Sequence, residues 1–347
     1  MKLANYLQIY WFCTGAITSV DENGIQGWVR YRHPRLRPPL KVYAAGRKLG
    51  AVKVQGASNP AIEEDGVSLT QAKEWTFTFP EDFEPSSVDK IEVRLAVKDL
   101  HIAGSPWFTG NKAPPVAYGF MHIPKTAGTS FRALLEDHLG ASAMFPSRDY
   151  LHGSGGNYMP VRQLQGCLAG RSPEVTMVAG HYNYEALRLA APKAKMLTMV
   201  RSPDDQILSL LKHRKVKFGR SFKDLAYAED GTVRPEFRNL QTRYFFSSQE
   251  VSELQTLIAD LQSRPQAIAM IKSRLSEFAL VGISERFSES CERLEVVLGQ
   301  SLPNRKVLNK SAIATDDEVQ RIANDLLESN ALDVLLYETA LDCFERV

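Results

Sequence analysis

Lys125, Thr126, Gly128, Thr129 and Ser130 bring one cation, three hydroxyls and a glycine together in the stretch PKTAGTS, Pro124 to Ser130. Those residue types suit a tetrahedral anion. The ammonium supplies charge, the hydroxyls donate hydrogen bonds, and the glycine lets the backbone approach closely. Before the stretch, Val116–Ile123 is apolar and of strand length; after it, Phe131, Leu134, Leu135 and Leu139 recur at helical spacing. The order is strand, small polar loop, helix, and the free N–H groups at a helix start form an anion site of their own. The loop, Ala127 included, is therefore expected to hold a phosphate-like group. It is not a Walker A loop: G-x-x-x-x-G-K-[ST] occurs nowhere, and the lysine precedes the glycine by three residues.

A second stretch, Lys195 to Arg214, reads KMLTMVRSPDDQILSLLKHR. Arg201 follows the apolar run Met196–Val200, Ser202 is a good N-cap, and Pro203 suits the first helical position. Ser209 then falls two turns along that helix. A guanidinium at such a place is a forked, permanent donor to phosphate oxygens. Between the two stretches, His181 follows the apolar run Val175–Gly180 and is expected at the edge of a sheet, beside the other loops. A neutral imidazole there suits a general base, or a hydrogen bond within the sheet edge. Glu185 is the second candidate base and His152, in HGSGGNY, the third. His122, inside the first apolar run, reads as a core histidine.

The string HIPKTAGTS resembles the loop that binds the 5′-phosphosulfate of PAPS (3′-phosphoadenosine 5′-phosphosulfate) in sulfotransferases, in particular the family of heparan sulfate 2-O- and 6-O-sulfotransferases and their bacterial relatives. The resemblance implies that Pro124, Lys125, Thr126, Ala127, Gly128, Thr129 and Ser130 bind the cofactor, and that Arg201 and Ser209 take its 3′-phosphate. It gives the role of base to His181 and puts Lys125 at the reacting group. It makes Asn309, Lys310 and Ser311, in LNKS, part of a cofactor loop. It also sets the segment FRNLQTR, with Asn239, Gln241, Thr242 and Arg243, near cofactor or acceptor. GISERF, Gly282 to Phe287, has a structural likeness only. Family members often carry glycine where Ala127 stands. The acceptor implied is a carbohydrate hydroxyl, PAP is the product, and no metal is needed, because Lys125 and Arg201 carry the neutralising charge. The likeness runs from about Phe120 to Ser311.

The chain has 347 residues, 44% hydrophobic and 24% charged, with a net charge of +2. Such a composition is that of a globular protein, and the charge gives no ground for nucleic-acid binding. Cys13, Cys167, Cys291 and Cys343 are scattered, without metal-ligand spacing, and read as buried thiols. No apolar window is long enough to cross a membrane, and a cytoplasmic protein of bacterial type is expected.

Residues 15–103 alternate short strand-like runs with turn signals such as Glu22-Asn23-Gly24 and Ala45-Gly46-Arg47-Lys48, as in a small antiparallel sandwich. The predicted organisation is an N-terminal β-sandwich-like domain over 1–103, a Gly- and Pro-rich linker over 104–115, and an α/β domain over 116–347. That last domain is expected to be a three-layer, P-loop-like parallel sheet, since its strand candidates are apolar on both faces. The runs Arg30–Lys41 and Lys212–Lys223 are basic; the second suits an anionic glycan and equally a solvated helix end. Two other functions fit parts of the pattern: a nucleotide-dependent kinase, and a glycan-binding or scaffold protein with a degenerate transferase domain. The missing Walker A loop and magnesium carboxylates speak against the first, and the joint presence of Lys125, Arg201, Ser209 and His181 against the second.

Overall fold

The computed structural model describes residues 13–31, 39–54, 63–64, 67–68, 73–96, 100–102, 104–109, 115–146, 161–302 and 317–346. The expected candidates His152, Asn309, Lys310 and Ser311 lie outside them.

Among the described residues, the first part of the chain is β apart from one 3-10 turn at Pro85–Ser87. Its strands are β1 (Cys13–Val20), β2 (Gly24–Tyr31), β3 (Leu40–Ala44), β4 (Arg47–Ala51), β5 (Lys53–Val54), β6 (Glu63–Glu64), β7 (Val67–Ser68), β8 (Lys73–Thr78), β9 (Lys90–Leu95), β10 (Leu100–His101) and β11 (Trp107–Phe108). One antiparallel sheet runs β1-β2-β8-β5; a second runs β10-β9-β3-β4, with β11 beside β9. Alternation in β8 sends Trp75 and Phe77 inward, where they share one core with Ile17, Val29, Val42, Ile91 and Val93 of the two sheets. The Asp21 carboxylate accepts from the backbone N–H of Asn23 and of Gly24, at 2.8 and 2.9 Å, and fixes the β1–β2 turn. Ala45 and Gly46, both at positive φ, make the tight β3–β4 turn, so the expected turn is two residues shorter than its sequence signal.

Part of the stretch expected as a linker is sheet. Trp107 and Phe108 pair with Ile91 and Lys90, and the buried Ser105 hydroxyl accepts from Val93 N–H at 2.8 Å. Burial of the Trp107 indole stabilises this two-residue strand, and the Gly- and Pro-rich composition around it conceals that in the sequence.

The remaining strands are β12 (Tyr118–Met121), β13 (Met144–Phe145), β14 (Met177–Gly180), β15 (Lys195–Val200) and β16 (Phe278–Ile283). They form a parallel sheet of order β13-β14-β12-β15-β16. The helices are α1 (Gly128–Leu139), α2 (Val161–Ala169), α3 (Tyr184–Ala190), α4 (Pro203–Phe218), α5 (Phe222–Ala226), α6 (Thr242–Phe245), α7 (Ser248–Ala259), α8 (Arg264–Ser276), α9 (Phe287–Leu298), α10 (Asp317–Glu328) and α11 (Ala331–Glu345). α8, α9 and α11 pack on β16, and α10 packs on α4. The strands are buried throughout most of their length, as the continuous apolar runs predict. Thr198, the one hydroxyl inside β15, is satisfied by donating to the Met121 carbonyl at 2.8 Å.

Two compact units result. One comprises Met1–Val116, Ala141–Gly180 and Ala186–Lys193; the other comprises Ala117–Gly140, His181–Glu185 and Ala194–Val347. The expected division near residue 104 thus differs from the observed grouping, because α2 packs on β1. Gly166 permits this: a side chain there would meet the Thr18 carbonyl oxygen at 2.7 Å. Cys167 and Cys291 are buried free thiols, while Cys343 is half-buried. No described helix is long and apolar enough to cross a membrane.

Candidate active site

Lys125, His181 and Arg201 each follow the C-terminal end of a strand of the parallel sheet. The chain leaves β12 through His122 to Ala127, and α1 begins at Gly128. Two loop residues adopt left-handed backbone: Lys125 at φ 68° and Ala127 at φ 63°. Such a conformation costs a non-glycine residue about 1–2 kcal/mol, so the surroundings must enforce it. Part of that enforcement is local, since the fully buried Thr126 donates its hydroxyl to the Ile123 carbonyl at 3.0 Å. Thr126, expected to offer its hydroxyl to a ligand, instead closes the loop. Ser130 is buried and Thr129 exposed. Ala127 is the N-cap of α1 and offers no capping side chain, which leaves the first amides to the loop and to any anion it holds.

Gly128 is required by a close approach. A Cβ there would lie 2.0 Å from Cδ2 and 2.3 Å from Nε2 of His122. The His122 ring stacks on Phe120 and stands 4.4 Å from the His181 ring, centroid to centroid. It lies past the strand, not within it.

His181 presents its Nδ1 to the His122 carbonyl at 2.6 Å. A carbonyl can only accept, so Nδ1 carries the proton and Nε2 is the unprotonated nitrogen. Desolvation, and secondarily the Arg132 charge, hold the imidazole well below its ordinary value, at about 4, against the opposing hydrogen bond to His122. The ring is thus neutral at physiological pH with a defined tautomer. The same forces, burial first and then the His181, Arg132 and Lys125 charges, push His122 down as well.

Arg201 follows β15 and approaches the same loop. Its Nη1 donates to the Lys125 carbonyl at 3.4 Å, Nη2 lies 3.4 Å from Asp205 and Nε 3.8 Å from Glu285. From α4, Gln206 donates Nε2 to the Pro124 carbonyl at 3.0 Å. Helical spacing puts Ser209, half-buried, on the same side as Gln206. Ser202 is the N-cap by position, but its side chain makes no capping bond; its backbone N–H goes to Glu285 at 3.0 Å. Burial, and then the nearby Arg201 charge, depress the Lys125 ammonium. No carboxylate among the described residues pairs with Lys125. Two cations gathered at strand ends, Lys125 with no carboxylate partner among the described residues, suit an anion.

Glu185 and Arg243, the further candidates, are both exposed. Two residues of the arrangement carried no sequence signal of this role: Gln206 sits unremarked in α4, and Glu285 lies within the GISERF segment read as structural. Gln241, expected near cofactor or acceptor, turns its amide on the Arg201 backbone. Among the described residues, no group of His, Cys, Asp and Glu is placed to hold a metal ion.

No family model matches the chain, and no curated protein matches it. Among solved structures, the chain is similar to the crystal structure of a sulfotransferase from Alicyclobacillus acidocaldarius. The two are 14% identical over 66% of this chain and 99% of that one, with a TM-score of 0.34.

Proposed function

We propose that the chain is a PAPS-dependent sulfotransferase acting on a hydroxyl of a carbohydrate, with residues 116–347 as its catalytic domain. The observation that carries this reading is the gathering of Lys125 and Arg201, each from its own strand end, around a helix start free of any capping side chain. Two cationic loops suit a nucleotide with anionic groups at both ends, which ATP lacks. PAPS, when bound, would supply the sulfuryl group as a mixed anhydride with its 5′-phosphate. The residues fit it: the Lys125 loop and the α1 amides would hold the 5′ end, and Arg201 and Ser209 the 3′-phosphate.

The chemistry asked of the chain is modest. His181 takes the acceptor hydroxyl proton on Nε2 as the acceptor oxygen forms its bond to sulfur. The bond between sulfur and the 5′-phosphate oxygen would break in line as the new bond forms, its electron pair leaving with PAP. Lys125 and the loop amides stabilise the charge that builds on that phosphate, as preorganised donors do in phosphoryl transfer. Nδ1, held on the His122 carbonyl, keeps the imidazole oriented while Nε2 gains the proton. Lys125 and Arg201 together supply the neutralisation that kinases draw from magnesium. The carbohydrate acceptor rests on the resemblance of HIPKTAGTS and of the Arg201–Ser209 stretch to the heparan sulfate enzymes.

Calorimetric titration with PAP, beside ATP and AMP without magnesium, tests the reading. PAP is expected to bind in preference to both, and Arg201→Ala to weaken it on the order of 10- to 100-fold, the worth of one or two charge-assisted hydrogen bonds. Equal binding of PAP and AMP would remove the 3′-phosphate site and with it the transferase.

A further inference from the structure

Arg201 owes its position to a side chain fully buried behind it. We infer that Gln241 is a positioning residue for the anion site: its amide locks the Arg201 backbone so that the guanidinium is aimed at the 3′-phosphate. This rests on the nucleotide reading above.

The geometry is that of a missing strand. β15 pairs with β12 only as far as Thr198 and with β16 as far as Val200, so Arg201 stands one residue beyond the ladder. Its N–H and C=O would there lack partners. Gln241 supplies both: Oε1 accepts from Arg201 N–H at 3.0 Å, and Nε2 donates to the Arg201 carbonyl at 2.7 Å. Those two groups belong to the peptide planes on either side of one Cα. Holding both planes fixes φ and ψ of Arg201 and hence the direction of its Cβ. A single hydrogen bond would leave one of the angles loose.

The clamp is itself held. Gln241 N–H goes to Asp333 Oδ2 at 3.0 Å, and Thr242 gives both its N–H and its hydroxyl to Asp333 Oδ1 at 2.7 Å. Asn239, forced to φ 45°, accepts from the backbone of Leu332 and Asp333. Asn330 donates to the Phe237 carbonyl and accepts from Asn239 N–H. A buried, fully engaged polar network of this kind specifies one arrangement rather than merely filling space. Methionine would fill the same volume as Gln241 and hold nothing.

The test compares Gln241→Met with Asn330→Ala, which weakens the same network without touching the Arg201 clamp. PAP and AMP are the probes, because AMP lacks the phosphate assigned to Arg201. Gln241→Met should lower the PAP-to-AMP affinity ratio at least tenfold while AMP binding stays within twofold of wild type. KM for PAPS should rise with kcat at saturation nearly unchanged. Asn330→Ala should lower the melting temperature and leave the ratio intact. Should Gln241→Met not fold, Gln241→Glu keeps the acceptor and loses the donor, and should lower the ratio in the same sense. An unchanged ratio in a folded Gln241 variant, or an equal fall in Asn330→Ala, overturns the inference alone. A wild-type protein that does not distinguish PAP from AMP overturns the nucleotide reading, and the inference falls with it.

Discussion

Lys125 and Arg201 stand at the ends of neighbouring parallel strands, yet the chain holds them by different means. The Lys125 loop is shaped mostly from within: two left-handed residues, a threonine closing back three residues, and a glycine tucked under His122. Arg201 is shaped from outside, by Gln241 on its backbone and Glu285 on its helix start, both remote in sequence. A locally shaped loop keeps its form when distant parts are disturbed. A remotely clamped residue depends on the side chain that clamps it, so loss of that one contact reaches ligand recognition without any change in the local sequence.

Three outcomes would break or sharpen that contrast. Lys125→Ala should reduce turnover on the order of 10²- to 10³-fold, comparable to loss of one preorganised donor. Its melting temperature should stay close to wild type, since the Lys125 side chain supports no partner among the described residues. Near-normal turnover would break the account of the loop.

The pH dependence comes second. With His181 near 4 when folded and about 6.5 when unfolded, the unfolded chain binds a proton between those values that the native chain does not. The neutral-imidazole contribution to stability is therefore complete above pH 6.5 and lost as pH falls toward 4. In the same way, the acid limb of kcat/KM should lie near 4. A limb at 6.5 would point to a solvated base in place of His181.

The smallest effect concerns Ala127. At φ 63° a glycine is freer of steric cost, against an entropy penalty of about 0.5–1 kcal/mol. Ala127→Gly should shift stability by less than about 1 kcal/mol, in the favourable direction, as read by chemical denaturation. A large loss would mean the alanine methyl is packed and not merely tolerated.

The contrast also explains what could be read from the sequence. PKTAGTS announced its loop because strand, small residues and helix are adjacent in the chain, and periodicity reports such local order. The same logic found β15 and α4 around Arg201, and the strands of the N-terminal sheets. It could not find the Gln241–Arg201 clamp, which joins residues 40 apart, or the Asp333 contact 92 apart from Gln241. No spacing rule links such positions. The two-residue strand β11 was missed for another reason: its stability comes from the buried Trp107, while its composition is that of a loop. The hydroxyl of Thr126 looked like a ligand because residue type alone does not tell whether a side chain turns in or out.

The Asp333 contact has a consequence in time. Arg201 cannot acquire its final aim until α11 has been synthesised and docked, long after β12, α1 and the Lys125 loop have left the ribosome. Contacts of such long sequence separation tend to form late in folding. The nascent chain should therefore pass through a stage in which the Lys125 loop is shaped and Arg201 still wanders, so that the nucleotide discrimination proposed for the pair would arrive as one of the last events of maturation.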